Sequence, residues 1–150
     1  MRGNAEKFFS LEQADQMLPQ IERWLRTAVE SKQNIAEIEA EYAKLVERVS
    51  MSGGGLVQVS HVARRKKELE DWTAHLQGAA EEIENCGCLL KDLQMGLVDF
   101  PCQIDGQEVY LCWKLGEPSI RFWHNTDEGF ANRKPIDDRF LENLDNPRPM

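Results

Sequence analysis

The dipeptide Asp105-Gly106 lies between two segments whose apolar residues alternate, and no other feature restricts the fold of this chain so tightly. Asp-Gly supplies the two positive-φ positions of a type I′ turn, whose twist matches that of a two-stranded hairpin. Folding about it sets Ile104 opposite Gln107, Cys102 opposite Val109, Phe100 opposite Leu111 and Val98 opposite Trp113. Successive side chains of a strand point to opposite faces, so this register collects the bulky apolar residues on one side. Turn chemistry and hydrophobic pattern therefore agree.

Two more strands extend the pattern. Gly116-Glu117-Pro118 reads as the next turn, and pairing Lys114 with Ser119 brings Trp113 to Ile120, Leu111 to Phe122 and Val109 to His124. On the other side, pairing Asp92 with Val98 puts Leu90 beside Phe100 and Cys88 beside Cys102. The expected result is a four-stranded antiparallel meander over 88–124. Its inner row is Leu90, Phe100, Leu111 and Phe122; its outer row is Lys91, Asp99, Cys112 and Arg121, flanked by Pro101, Tyr110 and Trp123.

The chain before this block has helical periodicity. Ser10 and Gln13 have the spacing of a capping box, with Phe9 placed to staple the helix start. Leu18, Ile21, Leu25, Ala28, Ile35, Ile38, Tyr42, Leu45 and Val49 then recur in steps of three and four. Pro19 either kinks this helix or opens a second one. Gly53-Gly54-Gly55 ends it, and a second stripe follows: Val62, Lys66, Leu69, Trp72, Leu76, Ala79 and Ile83, closed by Gly87. Two helices joined by a short loop form an antiparallel hairpin over 10–86. At about 1.5 Å per residue the first helix reaches roughly 45–60 Å, more than a four-stranded sheet can cover. Its far end must pack on its partner helix or on another subunit.

The fold class is therefore α+β, a long helical hairpin packed on the inner face of the meander. The 150 residues suit a single domain, with an irregular segment over 125–150 that becomes a tail from about Asp145. Net charge is −8, which argues against sequence-independent binding to nucleic acid or to an anionic membrane. Arg64-Arg65-Lys66-Lys67 is short and lies among Glu68, Glu70 and Asp71, so it reads as a solvated face paired at helical spacing. No apolar run can span a bilayer, and the N-terminus lacks a signal-peptide pattern. The expected location is cytoplasmic.

Several groups could carry chemistry. Cys86, Cys88, Cys102 and Cys112 lack the C-x2-C knuckles of a zinc ribbon and point to different faces, so they read as free thiols. Cys112 beside Arg121 and Lys91 could be an activated nucleophile, but in this register no histidine shares its face. Lys91, Asp99, Tyr110, Arg121 and Trp123 form either a charge ladder that fixes register or an open binding surface for an anion and an apolar group. His124 falls on the face opposite Asp99. It is either a structural histidine at the sheet edge or a metal ligand with Asp127 and Glu128. No phosphate-loop, zincin or nucleophile-elbow motif occurs.

The motifs Gly96-Leu97-Val98-Asp99-Phe100-Pro101, Leu111-Cys112-Trp113-Lys114-Leu115-Gly116-Glu117 and Trp123-His124, with Gly129-Phe130 and Arg133-Lys134-Pro135-Ile136, resemble a bacterial family catalogued only as a domain of unknown function. Phe9 to Ala14 with Leu18-Pro19 resembles that family's opening motif. Cys112 fits the pattern, whereas Cys86 and Cys102 do not. The resemblance implies a cytosolic bacterial protein and brings no assigned activity with it. The leading expectation is a non-enzymatic binding or assembly module, a homodimer or partner of another protein, acting through the hairpin or the outer sheet face without a cofactor. The alternative is a small enzyme dependent on a divalent metal centred on His124, Asp127 and Glu128.

Overall fold

The computed structural model describes residues 7–52 and 56–143. Helices α1 (Leu11–Ser52) and α2 (Leu56–Asn85) precede strands β1 (Leu89–Asp92), β2 (Leu97–Ile104), β3 (Gln107–Lys114) and β4 (Phe122–Asn125). A 3-10 turn (Phe130–Asn132), a two-residue strand β5 (Lys134–Pro135) and a short helix α3 (Asp138–Glu142) follow. The sheet is antiparallel in the order β1-β2-β3-β4-β5, one strand more than the sequence suggests. The α+β class holds. The Gly53–Gly55 turn and the tail from Asp145 lie outside the described residues.

The helix start forms as its spacing predicts. Ser10 N–H donates to Gln13 Oε1 at 3.0 Å, and Gln13 N–H donates to Ser10 Oγ at 3.1 Å, closing a capping box. The helix runs unbroken through Pro19. Backbone contacts divide the chain into two compact units, Arg26–Ala79 and the remainder, Met1–Leu25 with Ala80–Met150. In the first, α1 and α2 pack together, burying Ala28, Ile38 and Leu45. Lys66, expected in the apolar stripe, is exposed, and Arg65 turns inward instead. Its guanidinium bridges Glu41 at 2.6 Å and Glu68 at 2.8 Å, while Lys67 pairs with Asp71.

The second unit holds the sheet. Phe9 meets Phe100 edge-on with ring centroids 5.4 Å apart, and its N–H donates to the Pro101 carbonyl at 2.7 Å. Val98, Phe100, Cys102, Val109, Leu111 and Trp113 form the buried inner face, with Leu18, Ile21, Leu25 and Ile83 of the same unit also buried. The β2–β3 register is the expected one throughout, and Asp105 and Gly106 take φ of 51° and 77°.

The two outer registers differ from expectation. On one side Leu90 faces Val98 and Leu89 faces Asp99, so Leu90 does not pair with Phe100, and Lys91 is not the direct neighbour of Asp99. The pairing shifts between Leu90 and Asp92, where the ladder is irregular. Gly96 takes φ of 72° there, and a Cβ on it would approach Leu115 Cβ to 2.8 Å. Gly96→Ala should therefore lower stability by about 1.5 kcal/mol in urea unfolding, from strain and close approach together; an unchanged midpoint would remove this turn as a constraint.

On the other side β4 is displaced by one residue. Val109 pairs with Asn125, Tyr110 with His124, Leu111 with Trp123 and Cys112 with Phe122. Residues 115–121 form a wider connection than a tight turn. Glu117 N–H returns to the Lys114 carbonyl at 2.9 Å, and the Ile120 N–H leaves the ladder for Asp15 Oδ1 of α1 at 2.9 Å. A one-residue slip turns every side chain of a strand to the other face.

Candidate functional site

That slip assembles a buried polar cluster. His124 does not lie opposite Asp99; it shares the face of Asp99 and Cys112, against the sequence expectation. Asp99 and Cys112 are direct partners across β2 and β3. One donor atom from each of Asp99, Cys112 and His124 lies within 4.8 Å of the other two. The three side chains belong to residues only 2%, 1% and 2% exposed, so the outer face is not the open surface the alternation suggests.

The hydrogen bonds of His124 fix its proton. Its Nδ1 lies 2.8 Å from the Asn125 carbonyl oxygen, which can only accept, so Nδ1 carries hydrogen. Its Nε2 lies 3.1 Å from Asp99 Oδ2. In a neutral imidazole Nε2 then presents a lone pair to a carboxylate. Two acceptors at that distance in a buried site require a bridging proton or cation. Asp99 Oδ1 is buried with no hydrogen-bond partner among the described residues.

Burial raises the Asp99 carboxyl above the ordinary carboxylate range, opposed by the nearby His124, Cys112 and Lys91. Burial pushes the Cys112 thiol up to about 12, and the adjacent Asp99 carboxylate adds to the shift. A thiol that resists ionisation so strongly is a poor nucleophile at neutral pH. A metal ion reverses that, because a coordinated thiol is deprotonated outright.

A strap covers the cluster. Arg133 stacks over Phe122, the strand partner of Cys112, at 4.1 Å from its guanidinium carbon to the ring centroid, and over Phe130 at 4.3 Å. Its fork meets Glu117 twice, Nη1 to Oε1 at 3.1 Å and Nη2 to Oε2 at 3.0 Å. The same Glu117 Oε1 accepts the Lys114 N–H at 2.8 Å, which fixes the carboxylate in its turn. To the side, the Tyr110 ring stands edge-on to His124 at 5.6 Å, with Lys91 Nζ 5.2 Å from the Tyr110 centroid.

The other candidates are placed as follows. Arg121 is exposed outside β4, its Nε donating to Ser119 Oγ at 3.3 Å. Trp123 lies opposite Leu111, on the face away from Tyr110, and its ring packs on Phe140 of α3 at 5.1 Å. The structure thus does not gather Lys91, Asp99, Tyr110, Arg121 and Trp123 on one surface. Nor does it bring Asp127 and Glu128 to His124. Asp127 is exposed, and Glu128 Oε1 accepts from Asn125 N–H at 2.9 Å and from Lys134 Nζ at 2.5 Å. The hydrogen bond from Lys134, with that from Asn125, holds the Glu128 carboxyl below its ordinary value. Glu117, Phe130 and Arg133 lie in the sequence motifs, but nothing in their spacing places them beside Cys112.

A family model described as an uncharacterized conserved protein (DUF2203) matches residues 7–136. Comparison with curated proteins and with solved structures gave no match. No helix among the described residues is long and apolar enough to cross a membrane.

Proposed function

This chain belongs to the DUF2203 family of uncharacterized conserved proteins, and we propose that its Asp99–Cys112–His124 cluster holds a divalent transition-metal ion of the zinc class. One observation carries the reading: His124 Nε2 and Asp99 Oδ2 face each other at 3.1 Å in a buried site, with a thiol beside them. The donors suit a borderline-soft ion. Nitrogen, oxygen and sulfur together favour zinc over magnesium or calcium, which prefer all-oxygen shells.

Bond lengths support the same class. Zinc at about 2.0 Å from both nitrogen and oxygen separates two tetrahedral ligands by about 3.3 Å, close to the 3.1 Å between Nε2 and Oδ2. The histidine has the outer hydrogen bond that metal-ligating imidazoles show, Nδ1–H to a backbone carbonyl, which sets the tautomer and aims Nε2. This reading keeps His124 at the centre of a metal site and replaces Asp127 and Glu128 with Asp99 and Cys112.

Elemental analysis of freshly purified protein, followed by zinc and cobalt titration of the metal-free chain, tests it. About one ion per chain is expected, with a cobalt–thiolate charge-transfer band that vanishes in Cys112→Ser. A protein that carries no stoichiometric metal and takes up neither ion at micromolar concentration would sink the proposal.

A further inference from the structure

The Asp99–Cys112–His124 cluster is sealed, so any ion or reagent must pass a barrier, and we infer that the Glu117–Arg133 ion pair is a latch that sets how fast the strap over Cys112 opens. For its biological consequence the inference rests on the metal reading above, but the latch itself can be tested without metal.

The strap runs from the turn at Asn125–Glu128, through the 3-10 segment Phe130–Asn132, to β5. Each end is anchored. Glu128 N–H donates to the Asn125 carbonyl at 3.0 Å, and Glu128 is also held by Lys134. At the far end Trp123 pairs with Lys134, and Ile136 N–H donates to the Arg121 carbonyl at 2.8 Å. Between these anchors the side chain that ties the strap down over the cluster is Arg133, through its fork to Glu117 and its stacking on Phe122. Lys114 Nζ lies 5.4 Å from the Phe130 centroid and adds a weaker contact.

The latch can open without disturbing the core. The Arg133 and Glu117 side chains are 12% and 22% exposed, whereas the residues beneath are almost wholly buried. Glu117 is held by its own turn through Lys114 N–H, so it acts as a fixed keeper, and the strap is the part that moves. A bidentate guanidinium–carboxylate pair is directional and among the stronger side-chain contacts, yet its partial exposure makes it sensitive to salt. These properties suit a rate-controlling contact better than a contribution to the fold. Once the strap lifts, Cys112 and the metal site become accessible together.

The experiment measures alkylation of Cys112 in the metal-free full chain by peptide mapping, as a function of reagent concentration. At saturating reagent the rate of a gated reaction equals the opening rate and no longer depends on the acidity of the thiol. Glu117→Gln keeps an oxygen for the Lys114 N–H and loses the charge. Its plateau rate should rise about tenfold, the order expected for losing a strong but partly screened ion pair. The wild-type plateau should also rise between low salt and 1 M NaCl, as screening over about 3 Å predicts, which keeps the test available if the variant folds poorly. Unchanged plateaus in both arms would overturn the latch. If the protein binds zinc, Glu117→Gln should speed uptake and release by the same factor and leave the affinity unchanged. Faster alkylation in a protein that binds no metal would uphold the latch and reject the metal reading.

Discussion

Replacing His124 with alanine is expected to abolish metal uptake and to lower folding stability by about 3 kcal/mol, the lower end of the range for breaking a buried ionisable pair. His124 is 2% exposed and supplies the imidazole nitrogen beside Asp99. Without it the buried carboxylate loses its imidazole partner, and the edge contact with Tyr110 is lost. Asp99 can limit the damage by taking up a proton, which the upward push of burial on its carboxyl favours, and for that reason the loss should not reach the upper end of the range. Urea unfolding followed by tryptophan fluorescence measures the effect. A companion variant sharpens it. Asp99→Leu combined with His124→Leu removes both members, leaves no orphaned charge, and should recover much of the stability while binding no metal. A loss below about 1 kcal/mol in His124→Ala would show that the pair contributes no more than an exposed contact.

Asp15→Ala should lower stability by about 2 kcal/mol, the magnitude for a hydrogen bond to a charged group. The side chain of Asp15, on the second turn of α1, accepts the Ile120 N–H across 105 residues of sequence. Ile120 is 4% exposed, so its amide has little access to water once the partner is gone. The effect should extend beyond one bond, because the Ile120 contact holds the 115–121 connection in the course that delivers β4 one residue out of the tight-turn register. Hydrogen exchange distinguishes this from general loosening. The Ile120 amide and the β4 amides should lose protection together, while the β2–β3 ladder keeps its own. Asp15→Asn, which retains an acceptor oxygen, should restore most of both. If β4 protection survives Asp15→Ala, the register is set elsewhere.

The β4 slip also explains where the sequence misled. Gly116-Glu117-Pro118 carries the chemistry of a tight turn, and the tight-turn register buries Ile120 and Phe122 on the inner face. The displaced register works equally well for hydrophobic pattern because Phe122 and Trp123 are adjacent and both apolar. In the structure Trp123 is covered by Phe140, and Phe122 is covered by Arg133. When both faces of a strand are covered, alternation no longer chooses between registers. The covering groups come from 130–140, a stretch with no strong period of its own. The sequence therefore sorted Asp99 and His124 onto opposite faces although they are hydrogen-bonded, and assigned His124 to acids that are exposed or engaged elsewhere.

What the sequence by itself determined was local. The capping box at Ser10 and Gln13, the two helices, the Asp105-Gly106 turn and the β2–β3 register that grows outward from it follow from segments adjacent in sequence, where propensity, turn geometry and alternation decide. The position of β4 belongs to tertiary structure. It depends on a carboxylate from α1 taking an amide from the 115–121 connection, and on Arg133 and Phe140 closing over the two faces of the strand. Because the side-chain period of a strand is two, that single displacement decides whether Asp99, Cys112 and His124 are scattered or form one site.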